Sequence, residues 1–266
     1  MNRIDQKFSE LKKRKEKALI IYMTAGDPGL KKNEALIYAF EKDRVDLIEL
    51  GVPFSDPLAD GPVIQAASQR ALKRKTNLAK ILRLVGRVRK KSEIPILLMS
   101  YLNPIFRYGI DAFARSAKQS GVDGLIVPDL PPDEGKSISA VMRRYGIDLV
   151  YLAAPTSTQK RIRYIADASR GFIYYVSLTG ITGTRRSLPL KLDESVRAVK
   201  KETPLPVCVG FGVSNPAQAL RMSRAADGVI IGSAIVKVLA TRPHVNPGQF
   251  SRQFIRPFAD ALGKVR

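Results

Sequence analysis

The chain is expected to fold as an α/β protein, a (β/α)8 or TIM barrel with an extra helix at its N-terminus. Three observations predict this. Eight short apolar runs alternate with longer amphipathic stretches along the 266 residues. Each run is almost continuous in apolar residues, as strands buried on both faces of a parallel sheet must be. No GxGxxG follows the first run, so the rival architecture, a doubly wound open sheet, lacks its usual dinucleotide turn.

Taken in order, residues 1–16 read as an amphipathic helix ahead of the barrel. The strand runs are 18–23, 45–50, 96–99, 124–127, 149–152, 172–176, 207–210 and 228–232. Pro62 sits at the first turn of the helix after the second run, where its missing N–H costs nothing. The helical pattern that starts at Gly109 stops at Gly121, a residue suited to a left-handed helix end. Thr156-Ser157-Thr158 precedes a further helix. Asn215-Pro216 opens another, with Asn as cap. A short helix is expected over Ile235 to Leu239. Residues 242–266, with Pro243, Pro247 and Gly248, close the chain in a helical run. The expected organisation is one domain over 1–266, with its barrel core at about 18–240.

Composition narrows the function. Apolar content of 45% and charged content of 26% are those of an ordinary globular protein. No apolar run reaches membrane-spanning length. The first residues have no apolar core or small-residue cleavage site, so no secretory signal is expected there. The one cysteine, Cys208, excludes an internal disulfide and fits a reducing cytoplasm. Lys+Arg 45 against Asp+Glu 24 gives a net charge of +21. The basic residues are spread along many helix faces and helix ends, with no aromatic stacking motif or zinc-finger spacing among them. They read as a solvated basic surface with a general attraction for anions; nucleic-acid binding is the alternative.

The chemistry concentrates in Asp46 to Pro62, DLIELGVPFSDPLADGP. Leu47, Glu49 and Gly51 share one face of a strand, and Ile48 and Leu50 the other. A carboxylate in that apolar setting is costly to keep charged, so the pKa of Glu49 should rise toward a value useful for both giving and taking a proton. No other strand run supplies a Lys or Arg to neutralise it. Asp60 lies on the loop above the same strand end; alone it would be a turn residue, but with Glu49 it forms a pair of carboxylates at one barrel mouth. Asp56 reads as a turn or contact residue. Three glycine clusters follow successive late strands: Thr179 to Thr184, Gly210 to Ser214, and Gly232-Ser233-Ala234. Glycines there let backbone N–H groups approach an oxyanion, at the place where barrels commonly hold phosphate. Leu178 to Pro189 reads as a mobile lid over the mouth. The single histidine, His244, lies outside the barrel pattern, which argues against a Ser-His-Asp triad or a histidine metal site.

These words resemble a known family. Thr24 to Pro28, Glu49 to Pro62, Tyr101 to Pro104, Pro128 to Pro131, Gly180 to Gly183, Gly210 to Ser214 and Gly232 to Ala234 are similar to those of tryptophan synthase α subunits, in the same order. The resemblance implies retro-aldol cleavage of indole-3-glycerol phosphate to indole and glyceraldehyde 3-phosphate, without cofactor or metal. It implies that Glu49 moves protons and Asp60 holds the indole N–H. It places Tyr22, Tyr101 and Tyr174 at the substrate pocket and Thr182 on a lid that reaches Asp60. Gly183, Gly212, Gly232 and Ser233 would bind phosphate. The implied partner is a pyridoxal-phosphate-dependent β subunit, contacted near Asp56 in an αββα heterotetramer. A free-standing lyase that releases indole remains the second enzymatic reading.

Overall fold

The computed structural model describes residues 2–176, 190–210 and 212–263. Among them, nine strands form one parallel sheet. They are β1 Ala18–Thr24, β2 Leu47–Gly51, β3 Ile96–Met99, β4 Gly124–Ile126, β5 Asp148–Val150, β6 Leu152–Ala153, β7 Ile173–Val176, β8 Val207–Gly210 and β9 Gly228–Ile231. The order is β5-β4-β3-β2-β1-β9-β8-β7-β6. The two ends of that order, β5 and β6, are separated in the chain by Tyr151 alone. Asp148–Val150 pairs with β4, and Leu152–Ala153 with β7, so a single extended run joins both edges and closes the barrel.

This is the one departure from the eight expected runs. The fifth run exists, but its hydrogen bonds change neighbour at Tyr151 and it counts as two short strands. Alternating side chains then divide into two layers. Ile48 and Leu50 point out to the helices, while Leu47 and Ile20 point into the barrel with Leu97 and Val150. Cys208 is fully buried in the inner layer, a small apolar filler as its mid-strand position suggests.

The helix ends follow local chemistry. Helix Ile110–Ser120 ends at Gly121 in the left-handed region, φ 84. Asn215 caps Pro216–Ser223 by accepting the Gln218 N–H, and Thr158 caps Gln159–Ala168 by accepting the Arg161 N–H. Pro62 occupies the first turn of Pro62–Lys73. The helix expected over 235–239 is longer, Ser233–Thr241, with Gly232 at its N-cap directly after β9.

The N-terminal helix Arg3–Arg14 plugs the barrel where the strands begin. It starts in a capping box between Asn2 and Asp5, and Ile4, Phe8 and Leu11 pack into the inner layer. The closing segment runs as Pro247–Phe250, a wide π turn Ser251–Ile255, and Arg256–Leu262. It docks on helix Leu30–Lys42 through Phe250 against Phe40, ring centroids 6.1 Å apart. No described helix is long and apolar enough to cross a membrane.

Three aspartates tie the strand starts together. Asp46 accepts the Leu19 N–H at 2.9 Å, Asp123 the Ile96 N–H at 2.8 Å and Asp227 the Val207 N–H at 3.0 Å. Each satisfies a backbone donor that would otherwise be orphaned at the barrel floor.

Candidate active site

At the other end, where the strands finish, the barrel opens into a cavity of about 300 Å³. Glu49 forms part of its floor. Its position on β2 is in register with Tyr22 on β1 and Leu97 on β3, so it faces inward from the middle of the sheet. The residue is 1% exposed, and neither carboxylate oxygen has a hydrogen-bond partner among the described residues. Burial, with a smaller push from the charge of Asp60, raises the carboxyl to about 8. An unpartnered buried carboxylate is expensive unless it is protonated, so the fold holds this group as a neutral acid near neutrality.

Asp60 stands on the mouth loop and lines the same cavity. It too is raised by burial, to about 6, with the Tyr101 hydroxyl pulling the other way. The two carboxyls therefore differ by about two units in proton affinity, one neutral and one charged near pH 7.

Tyr22 and Tyr174 line the cavity. Each ring lies across a glycine of the next strand, Tyr22 over Gly51 and Tyr174 over Gly210; a methyl group on either glycine would collide with the tyrosine hydroxyl. The Tyr22 hydroxyl also meets Thr24 Oγ1 at 3.3 Å. Gly212, Gly232 and Ser233 line the same cavity. Gly212 has φ +73 and open space where a side chain would stand, and Ser233 begins a helix of 9 residues. A helix start with glycine before it presents N–H groups to an anion.

Tyr101 is placed differently from the pocket-lining position expected of it. It is not part of the cavity lining. It turns beneath the Asp60 loop, where its hydroxyl accepts the Ala59 N–H at 2.8 Å and its ring packs on Phe54 at 5.4 Å. The chain leaves β3 at Ser100, and the direction it then takes is set by the loop rather than by strand alternation. Thr182, Gly183 and the lid expected over 178–189 lie outside the described residues.

Reading the sequence for chemistry passed over the apolar half of the cavity. Val63, Ile64, Met99, Val213 and Ile230 also line it. Met99 and Ile230 could have been found by carrying the inward-facing alternation of Glu49 onto β3 and β9. A larger cleft of about 500 Å³ lies at the barrel floor. It is lined by side chains of both signs, among them Arg3, Glu10, Arg44 and Glu93, of which Arg3 pairs with Glu93 and Arg44 with Asp260. No group of acidic, histidine or cysteine residues suited to a metal ion occurs among the described residues.

A closed parallel barrel with two carboxyls of unequal proton affinity in one mouth cavity, lined also by glycines and a helix start, defines an acid–base barrel suited to an anionic, partly apolar ligand. Comparison with known proteins makes this specific. Residues 8–256 match the family model described as tryptophan synthase alpha chain, and the chain belongs to that family. The tryptophan synthase alpha chain of Geotalea uraniireducens (strain Rf4) is 51% identical over 238 residues, 90% of this chain and 89% of the relative. That of Geobacter sulfurreducens is 46% identical over 263 residues, 99% of this chain and 100% of the relative. Among solved structures, a Legionella pneumophila tryptophan synthase alpha chain superposes with TM-score 0.90 at 38% identity, covering 99% of this chain and 98% of that one. A chain of the Pyrococcus furiosus tryptophan synthase a2b2 complex superposes with TM-score 0.86 at 38% identity, covering 92% and 99%.

Proposed function

We propose that this chain is the α subunit of a tryptophan synthase, organised as one barrel unit over 1–266, and that it cleaves indole-3-glycerol phosphate to indole and glyceraldehyde 3-phosphate. The observation that carries the reading is Glu49, buried, unpartnered and held protonated at the floor of a cavity it shares with Asp60. The acid form of Glu49 gives its proton to C3 of the indole ring. The positive charge that develops is shared with the ring N–H, which donates to the Asp60 carboxylate. Glu49, now a carboxylate, takes the proton of the hydroxyl on the side-chain carbon bonded to the ring. The carbon–carbon bond breaks, its electron pair returns to the ring, and the aldehyde is released. Glu49 ends as it began, so the step needs no cofactor on this chain.

Tyr22, Tyr174, Ile64 and Met99 supply a wall for the indole. The N–H groups near Gly212 and Gly232, with the Ser233 hydroxyl and the helix dipole, hold the phosphate. By the family resemblance, a phosphate contact falls to Gly183 and a contact with Asp60 to Thr182. Pyridoxal phosphate belongs to the β subunit, which takes up the indole, and the setting is cytoplasmic. Leu58, on the loop that carries Asp56, is 94% exposed, and Phe106, on the short helix Leu102–Tyr108, is 68% exposed; such isolated large apolar groups suit a docking face for β in an αββα assembly.

The test is cleavage of indole-3-glycerol phosphate with and without β subunit. Glu49→Gln should lower kcat by about 10²–10⁴, the usual worth of a positioned acid or base, while leaving substrate binding in place. Near-normal turnover in that variant would defeat the proton-transfer role. Strong activation by β supports the subunit reading; full activity alone supports a free-standing lyase.

A further inference from the structure

Tyr101 connects three loops of the barrel mouth. It follows β3 and immediately precedes the short helix Leu102–Tyr108. On one side its hydroxyl takes the N–H of Ala59, the residue before Asp60. On the other, the N–H of Leu102, the residue after Tyr101, donates to both oxygens of Asp129, at 3.0 and 3.2 Å. Asp129 stands on the loop that follows β4. The Ser100 N–H binds Ile126 O at 3.0 Å and its hydroxyl binds Tyr101 O at 3.0 Å, so the backbone on either side of the tyrosine is held. The phenol ring, stacked on Phe54, cannot swing without moving the Asp60 loop.

We propose that Tyr101 and Asp129 are a positioning pair for Asp60, through which the loop after β4 aims the carboxylate that receives the indole N–H. The pair deepens the function given above and rests on it. Ala59 N–H is the direct bond of the tyrosine oxygen; toward the Asp60 carboxyl its O–H acts as a nearby donor that partly offsets the effect of burial. The other ionisable groups that face Asp60 are Glu49 on β2, Tyr22 on β1 and Tyr174 on β7. None of these is a cation, so Tyr101 is the neighbour that favours the charged form. Aim and charge of Asp60 thus depend on one hydroxyl, whose own position is fixed by an aspartate on another loop.

The experiment is the pH profile of indole-3-glycerol phosphate cleavage by the full chain with saturating β subunit. Tyr101→Phe should lower kcat about tenfold or more with a smaller change in KM, since the interaction with the ring N–H strengthens as charge develops. It should also move the acid limb to higher pH, because Asp60 loses the donor that eases its ionisation. Asp129→Ala should act in the same direction, at an exposed position where the core is not at risk. Asp129→Asn, whose amide oxygen still accepts the Leu102 N–H, should recover most of the loss. The double variant should be no worse than Tyr101→Phe alone, within about twofold, as expected when two residues act through one group.

An unmoved acid limb in Tyr101→Phe overturns the pair. So does an Asp129→Asn enzyme as impaired as Asp129→Ala, or losses that multiply in the double variant. Failure of the parent function looks different: Asp60→Asn would then keep near-normal turnover. An inactive Asp60→Asn beside a normal Tyr101→Phe would remove the positioning pair alone.

Discussion

Glu49 shows how a fold can work against itself at one position. In the unfolded chain the carboxyl ionises near its ordinary 4.5, whereas the folded chain keeps it protonated up to about 8. Folding therefore takes up a proton between those values, and stability falls as pH rises through them. At pH 7 the cost is about 3 kcal/mol, at roughly 1.4 kcal/mol per unit. Glu49→Gln removes that cost, so it should melt at a higher temperature than the parent near pH 7, with the gain fading toward pH 5. Equal melting temperatures for both proteins at both pH values would refute a buried neutral acid. Loss of turnover with gain of stability is the expected signature of a strained catalytic group. For activity, the acid limb should fall at about 6, where Asp60 gains its proton, and the alkaline limb at about 8, where Glu49 loses its own. Glu49 was legible in the sequence because its neighbours in the run are apolar and no other strand run supplies a Lys or Arg to pair with it. The resemblance marked Tyr101 as a pocket residue, but its hold on the Asp60 loop was not legible, because its side chain takes its direction from a loop, where alternation gives no guidance.

The strand starts are held together by aspartates that bind the backbone of neighbouring strands. Asp123 accepts the Ile96 N–H, Arg89 Nη2 at 2.6 Å and Arg3 Nη1 at 3.0 Å, and so joins β3, the N-terminal helix and helix Leu78–Val88 at whose end Arg89 sits. Asp123→Ala leaves a largely buried guanidinium without its partner, and should cost about 3–5 kcal/mol in urea unfolding. The cavity is at the opposite end, so kcat should change little while the protein remains folded. A loss below about 1 kcal/mol would mean the charges are solvated after all. The recurrence of Asp46, Asp123 and Asp227 escaped the sequence reading, since an aspartate before a strand is also an ordinary turn residue. The strands themselves were legible because burial on both faces leaves continuous apolar runs. The break at Tyr151 was not, because it reflects a change of hydrogen-bonding neighbour, which depends on residues 22 and 24 positions away in the chain.

Charge is distributed unevenly over the molecule. From Gly61 to Ser92 there is no acidic residue, while 10 of the residues are Lys or Arg. Four of these are neutralised from outside the stretch: Arg70 and Arg74 by Asp27, Arg87 by Glu34 and Arg89 by Asp123. The surplus lies on outer helices, whereas the exposed large apolar side chains among the described residues are Leu58 and Phe106, the docking face proposed for β. Truncating Phe106 to alanine should therefore weaken association with β about tenfold or more, in titrations of α into β, while the isolated chain keeps its own cleavage rate. Unchanged affinity would move the docking face elsewhere. The surface charge was visible in the composition, but its partition between paired and free groups required the packing of helices distant in sequence.

The N-terminal helix and the closing helix Arg256–Leu262 both line the cleft at the floor, with the starts of β1 and β2 between them. Tethering the protein to a bead or a sensor through either of these helices would leave the substrate entrance turned toward the solution. A biosensor or an immobilised reactor could thus be built from it without redesigning the chain.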